Sequence, residues 1–363
     1  MVLEIKLELF TDRKARELSC FIIKIKKVFT LMLDNIFEEI CSFDNLLEAY
    51  KTVSNEHRYK AASLKFYNHL EENLIQLQNE LLWGLYKLGD FYTFVKYEPK
   101  RREINALPYR DRVVQSAVCN VIEPEITKTF IYDSYACIKD KGALKAANRI
   151  SYFMGKKGTE YYLKCDITKY FYNVDLDVAF ELYKRHISDV RTLNLISQIL
   201  HKDNPEKGIK IGNRLSQLTA NLYLNELDRF IKHNLKIKYY VRYMDDFILF
   251  GTKAELKYAL QEIIRFLRDV LHLELNDKTT IDKSARGVEF VGYKIYPKGK
   301  RIKKQTVYRT RRFVTKFING GVEPDSFCRS MASICGHAVH TDNYMFYIRQ
   351  LMRVIRYLCD VND

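Results

Sequence analysis

Proline is scarce in this chain, six in 363 residues, and no low-complexity stretch or internal repeat interrupts it. Linkers between independent domains usually carry such stretches, so one compact unit is expected. Pairs of the CxxC type are missing too. The eight cysteines (Cys20, Cys41, Cys119, Cys137, Cys165, Cys328, Cys335 and Cys359) mostly sit in apolar sequence, as reduced structural thiols of a cytosolic protein do. Cys328, Cys335, His337 and His340 gather late in the chain at spacings that match no zinc pattern, and core packing with local hydrogen bonding accounts for them better. A membrane-length apolar run is also absent. Residues 21–33 (FIIKIKKVFTLML) are broken by Lys24, Lys26 and Lys27 and fall short of the roughly 20 residues a bilayer requires. Ile25, Phe29, Met32, Ile36 and Ile40 recur at helical spacing, so an amphipathic helix and a soluble, cytoplasmic protein are expected.

What is present in excess is positive charge. The net charge is +15, and 47% of the residues are hydrophobic, enough to bury a substantial core. Such a balance suits a polyanionic partner. Between Pro297 and Lys316 the run PKGKRIKKQTVYRTRRFVTK holds nine lysines and arginines and no acid, with Tyr308 and Phe313 interleaved. Such a run is either a solvated face or a surface that tracks a nucleic-acid backbone, giving affinity without sequence choice.

The most informative stretch is Tyr243-Met244-Asp245-Asp246 within VRYMDDFILFG. β-Prone residues flank the aspartates on both sides, which predicts two short strands joined by a tight turn with the carboxylates at its tip. Paired charges on a buried hairpin are costly unless a cation holds them. All-oxygen ligation favours Mg²⁺ or Mn²⁺. Taken alone, the tetrapeptide reads equally well as an Asx-rich turn.

A second motif shifts that balance. Residues 161–174 (YYLKCDITKYFYNV) predict an apolar-aromatic strand that ends in Asp166. Alone, Asp166 would serve as a strand-end cap. Together, a strand ending in Asp and a later hairpin bearing Asp-Asp match a two-metal phosphoryl-transfer site. There, carboxylates from separate strands bridge two ions about 3.5–4 Å apart, one activating a primer 3′-hydroxyl and the other stabilising the leaving pyrophosphate.

With those motifs in hand, the chain resembles a reverse transcriptase. YYLKCDITKYFYNVD resembles the first palm motif of that family and RYMDDFILFG the third; LHLELNDKTT (271–280) resembles the fourth, and GVEFVGYKIYP (287–297) the primer-grip hairpin. Upstream, residues 97–124 resemble the fingers segment that clamps the incoming nucleotide. The resemblance implies an α+β fold: a right-hand polymerase with fingers, a palm whose antiparallel sheet carries the catalytic aspartates, and a helical thumb. The expected divisions are a helical N-terminal extension (1–42), a helical region with fingers (43–160), the palm with part of the fingers (161–297) and a basic thumb (298–363).

The resemblance also implies site residues. Asp166 and Asp245 would hold the metal ions, with Asp246 in a less direct role and the Ile167 backbone carbonyl as a further ligand. Phe171 matches the steric gate that excludes a 2′-hydroxyl, so dNTPs would be preferred. Arg102 matches the arginine that grips the triphosphate, a job suited to a guanidinium fork; Lys96, Arg110 and Arg112 are weaker candidates for that pocket. Lys278 stands at the family's lysine, where it would orient the site or protonate the pyrophosphate, or be an ordinary surface lysine. Tyr293, Lys303, Lys304, Arg309, Arg311 and Arg312 would contact the template–primer.

The second palm motif narrows the resemblance. In KIGNRLSQLTANLYLN (210–225), Ile211-Gly212 stands where relatives of group II intron enzymes carry Gln-Gly, and Ser216-Gln217 where they carry Ser-Pro. That pattern resembles the enzymes of diversity-generating retroelements, as do YEPKRREI, IYDSYACIKDKGALKAA (131–147) and SICGHAVHTDN (333–343). A group II intron enzyme would show SYGFRP-like sequence and DNA-binding and endonuclease appendages, before which this chain stops. Isoleucine in place of glutamine keeps bulk but removes a donor and an acceptor near the nucleotide. One such contact of about 1 kcal/mol corresponds to roughly fivefold in discrimination. This fits the subfamily's error-prone copying at template adenines; Ile211 as a simple packing residue is the other reading. The implied partners are a template RNA with its DNA or RNA primer, dNTPs, a structured non-coding RNA and a small basic accessory protein. An antiphage-defence reverse transcriptase is the alternative, favoured by the 1–42 extension and by Asn213-Arg214-Leu215, where the subfamily shows a smaller, less basic tripeptide. A catalytically silent RNA-binding scaffold is the third reading, and the intact aspartates argue against it.

Overall fold

The computed structural model describes residues 32–57, 61–97, 101–202 and 206–362. The chain divides into two compact units where the sequence led to one being expected, the first made of Met1–Thr129 and Phe171–Tyr223, the second of Phe130–Tyr170 and Leu224–Asp363. The chain crosses between them without a linker of its own composition, so the sequence carries no boundary signal.

The first unit is organised by the helix Tyr109–Thr127, whose Val113, Val114, Ala117, Val118, Ile122 and Ile126 are all buried. The helices Phe37–Cys41, Phe43–His57, Ala61–Tyr67 and Leu70–Leu82 pack against it. Asn45 ties them together, its Nδ2 donating to the carbonyls of Ile40 and Ala117 at 3.0 Å each. The helices Leu176–Lys184 and Val190–Leu200 start at Asp175 and Asp189, whose carboxylates accept the otherwise orphaned N–H groups of the first turn. Asp189 also accepts the Phe37 N–H at 2.8 Å. Strands β1 (Tyr92–Tyr97) and β2 (Arg101–Ala106) form an antiparallel hairpin in which all of β1 is exposed.

Two expectations change here. Residues 1–31 lie outside the described residues, and the helix expected through Met32 and Ile36 begins only at Phe37. Leu33 is instead drawn into a bridge with Ile187, and Asn35 has a left-handed φ of 51°, which breaks the helical path. Tyr92–Val95, read as part of a helical region, is β1: a Tyr-Thr-Phe-Val run has a β-strand's composition and finds its partner in β2.

The second unit contains β3 (Tyr161–Asp166), β4 (Tyr239–Tyr243), β5 (Asp246–Gly251) and β6 (Thr280–Lys283), an antiparallel sheet in the order β4-β5-β3-β6. The helix Lys253–Val270, started by a capping box between Thr252 and Glu255, packs on β3, β5 and β6. Strands β7 (Val288–Phe290), β8 (Tyr293–Tyr296) and β9 (Gly299–Ile302) form a second sheet. Its inward residues join Tyr162, Val241, Ile248 and Phe250 and the helix Ala143–Met154 in one core. Three helices follow, Lys304–Ile318, Pro324–Ala338 and Tyr344–Asn362. They close over Val314, Phe327, Met331 and Val354, with Phe313, Phe317 and Ile334 packed alongside.

Among the described residues no helix is long and apolar enough to cross a membrane. Cys41, Cys119 and Cys165 are buried free thiols, whereas Cys137, Cys328 and Cys359 are exposed, contrary to their apolar sequence surroundings.

Candidate active site

Side chains alternate across a strand, so register decides which residues share a face. β3 pairs with β5 so that Tyr162 opposes Phe250, Lys164 opposes Ile248 and Asp166 opposes Asp246. The two aspartates therefore end neighbouring strands on one face of the sheet. The other face carries Leu163, Cys165, Phe247 and Leu249, all fully buried; this hydrophobic anchoring fixes the register. Met244 and Asp245 form the turn between β4 and β5, as the sequence predicts. Beyond β3, Ile167 bridges Leu275, with Thr168 N–H donating to the Glu274 carbonyl (2.9 Å) and Asn276 N–H to the Asp166 carbonyl (2.7 Å). Those bonds flank Ile167, which leaves its own carbonyl on the opposite side of the strand.

Lys164 is a participant that the sequence did not reveal. Two residues before Asp166 and on the same face, its Nζ lies 3.4 Å from Asp246 Oδ2 and donates to the Glu289 carbonyl at 2.8 Å. Burial pushes the Asp246 carboxyl up to about 7; Lys164 pulls it down, while Asp166 and Asp245 add to the rise. Asp246 Oδ1 is buried and has no hydrogen-bond partner. A buried orphan oxygen among three carboxylates and a backbone carbonyl is an all-oxygen donor set of the kind Mg²⁺ takes, so the residues fit a divalent cation. Among the described residues, however, no three His, Cys, Asp or Glu side chains are gathered closely enough to hold an ion as they stand. The register aligns the carboxylates; it does not converge them.

Behind this face stands a second charged cluster. Arg242, on β4, opposes Phe247 and so lies on the buried side. Its guanidinium grips Asp228 with Nε at 2.8 Å and 3.0 Å and Nη2 at 2.7 Å, and the Tyr240 hydroxyl donates to Asp228 Oδ1 at 2.6 Å. Both charged residues are 0% exposed. Arginine inside an otherwise apolar strand was a visible signal; its partner was not.

A family described as reverse transcriptase (RNA-dependent DNA polymerase) matches residues 96–295, more than half of the chain and all of the carboxylate-bearing strands just described. The chain belongs to the reverse transcriptase family. It is 26% identical over 281 residues to protein YkfC of Escherichia coli (strain K12), covering 64% of this chain and 74% of that one. It is 24% identical over 329 residues to the group II intron-encoded protein LtrA of Lactococcus lactis subsp. cremoris, covering 70% of this chain and 54% of LtrA, so it spans about half of that relative. A structure of telomerase from Candida albicans with a fragment of telomeric RNA is similar at a TM-score of 0.48 and 12% identity, over 76% of this chain and 57% of that one. With the family come its enzyme class, RNA-directed DNA polymerase, and the expected right-hand polymerase fold, whose palm is the sheet β4-β5-β3-β6.

The remaining candidates of this reverse transcriptase are distributed unevenly. In the first unit, Gly212 has φ +107°, and a Cβ there would meet Ile104 Cγ2 of β2 at 3.3 Å, so the Ile211-Gly212 turn runs close beside the β1–β2 hairpin. Ile211 is half-buried, Ser216 buried and Gln217 exposed, the last two in the first turn of the helix Arg214–Arg229. Phe171 lies in the short helix Tyr170–Asn173, and its carbonyl accepts the Ile209 N–H at 2.8 Å, which ties it to the segment leading into Ile211. Arg102 sits opposite Lys96 in the hairpin, and its side chain lies outside the described residues. Arg110 and Arg112, the weaker candidates for the triphosphate pocket, each have a partner within the protein. Arg110 is ion-paired to Glu80, and Arg112 donates from Nε to the Leu107 carbonyl at 2.9 Å. Arg214, singled out in the sequence only as part of the Asn213-Arg214-Leu215 departure, forks onto Glu123 (2.8 Å) and reaches Ser116 Oγ and Asn120 Oδ1.

In the second unit, Lys278 is exposed in the turn before β6. Tyr293 is only 2% exposed, stacked on His337 with ring centroids 4.2 Å apart and its hydroxyl 3.0 Å from Nδ1. Its side chain has no surface left for a template–primer, contrary to expectation. Lys303 faces Glu289 at 3.8 Å. Lys304, Arg309, Arg311 and Arg312 are exposed on the helix Lys304–Ile318.

Proposed function

We propose that this chain copies a structured RNA into cDNA as the error-prone polymerase of a diversity-generating retroelement. The observation that carries the polymerase reading is the register pair Asp166–Asp246 beside the Met244-Asp245 turn, in a chain of the reverse transcriptase family. Asp166, Asp245, Asp246 and the Ile167 carbonyl would hold divalent cations, Mg²⁺ with Mn²⁺ as the alternative. Bound there, such ions supply Lewis-acid activation of the attacking hydroxyl and neutralisation of phosphate charge.

The chain's own residues do the rest. Lys164 keeps positive charge beside Asp246. Phe171 acts as the gate against a 2′-hydroxyl, and Arg102 as the triphosphate grip. Lys304, Arg309, Arg311 and Arg312 hold the template–primer backbone, which makes the three C-terminal helices the thumb. The retroelement reading rests on Ile211-Gly212 and Ser216-Gln217. The group II intron name belongs to LtrA, and this chain lacks the Gln-Gly and Ser-Pro pairs of that class. The Asn213-Arg214-Leu215 departure speaks less for a defence enzyme once packing is considered, because Asn213 and Leu215 are buried and Arg214 is braced by Glu123. A small basic accessory protein and cytoplasmic placement belong to the same reading.

The test is to sequence nucleic acid bound to the protein purified from its host, with Asp245→Ala as control. Discrete cDNA with errors opposite template adenines, absent from the control, is expected. Accurate or template-free DNA would favour antiphage defence, and no DNA from either sample would leave a scaffold.

A further inference from the structure

Residues 131–147 (IYDSYACIKDKGALKAA), distinctive in the sequence but given no part in the chemistry above, pack against the carboxylate hairpin and are hydrogen-bonded to its backbone at Arg242. The Arg242 N–H donates to the Asp133 carbonyl at 3.0 Å, and its carbonyl accepts the Tyr135 N–H at 3.0 Å, a parallel bridge centred on Ser134. Asp133 is itself held by Arg149, whose Nε donates to Oδ1 at 2.7 Å. The Arg242 backbone is thus clasped from one side while Asp228 grips the side chain. From that fixed position Arg242 Nη1 donates to the Met244 carbonyl at 3.1 Å. Met244 immediately precedes Asp245 and has φ +57°, a left-handed conformation that a side chain such as methionine resists. Arg242 lies on the opposite face of the sheet from Asp166 and Asp246, so it reaches the turn from behind.

We propose that Arg242 is a positioning residue. Locked by Asp228 and by the Asp133–Tyr135 segment, it clamps the Met244 carbonyl, holds the turn left-handed and so sets the direction in which Asp245 is presented. The inference rests on the polymerase reading above. A guanidinium fork can grip a carboxylate and a backbone carbonyl in one rigid plane; a lysine ammonium keeps the charge and loses that geometry. A misplacement of about an ångström at a reacting centre costs on the order of 100-fold in rate.

The test is a double-mutant cycle between Arg242→Lys and Met244→Gly, read by primer extension on an RNA template. Glycine adopts positive φ freely and needs no clamp. Arg242→Lys is expected to lower kcat on the order of 100-fold while the dNTP KM stays within about threefold. In the Met244→Gly background the same change should cost at least about tenfold less. Hydrogen–deuterium exchange over residues 243–246 should rise in Arg242→Lys, a readout that needs no activity. Undiminished kcat in Arg242→Lys, an equal loss in both backgrounds, or unchanged exchange would each overturn the clamp. Should Arg242→Lys not fold, Arg242→Gln with Asp228→Asn removes the charge pair together and takes its place in the cycle. A wild-type protein that makes no DNA would sink the polymerase reading instead, and the exchange measurement would still judge the clamp.

Discussion

The palm sheet carries charge on both of its faces and treats it in opposite ways. On one face Asp166 and Asp246 end neighbouring strands beside the Met244-Asp245 turn, Lys164 lies against Asp246, and one Asp246 oxygen is buried without a hydrogen-bond partner. On the other, Asp228 and Arg242 are wholly buried and joined by paired hydrogen bonds, with a tyrosine hydroxyl completing the carboxylate's shell. A buried charge is tolerable only when its partners are in place. The second face meets that condition within the chain; on the first, Asp246 Oδ1 has no such partner, and the cation proposed above would supply one. A site can therefore be recognised by where the protein declines to neutralise itself.

The comparison is broken most severely on the open face. Asp245→Ala and Asp166→Asn should each lower primer extension on the order of 1,000-fold or more while circular dichroism stays native. On the closed face the damage should fall on stability. Arg242→Met strands the Asp228 charge and should cost about 3–5 kcal/mol in urea unfolding, whereas Asp166→Asn, which removes one of several like charges, should cost far less.

A smaller effect follows from pH. The folded-state pKa of Asp246, about 7, lies above the ordinary 3.8. The folded protein holds this proton where the unfolded chain has lost it. The group's contribution is therefore full below about pH 4 and drains away as pH rises towards about 7. A divalent cation held there, as proposed, would take the proton's place, so the melting-temperature gain from Mg²⁺ over EDTA should be larger at about pH 7.5 than at about pH 5. In Asp246→Asn that difference should shrink; a gain independent of pH in the native protein would contradict the assignment. The smallest expected effect is on fidelity. Ile211→Gln restores one polar contact and should reduce misincorporation about fivefold, measured by sequencing cDNA from a defined template.

Much of the palm was legible without coordinates. The strand ending at Asp166 and the hairpin with its aspartate tip appear where sequence patterning puts them, and the β7–β8 hairpin where the family resemblance does. Each rests on interactions between residues a few positions apart. The failures have the opposite character. The helix expected through Ile36 gave way because Leu33 pairs with Ile187, far along the chain. Tyr92–Val95 became a strand because β2 was available to it. Arg110 looked like a phosphate ligand until Glu80 claimed it, and Tyr293 like a primer contact until His337 covered it.

Sequence alone determined the chemistry this protein carries: which carboxylates it owns, that they end strands or cap a turn, and the family to which such motifs belong. Local periodicity and turn chemistry suffice for that, because they act within a few residues. The tertiary structure alone decided that Asp166 stands opposite Asp246, that Lys164 leans on that pair, and that Asp228 finds Arg242. Periodicity says which face a residue occupies, and strand register, set by burial of the opposite face, says whom it meets there.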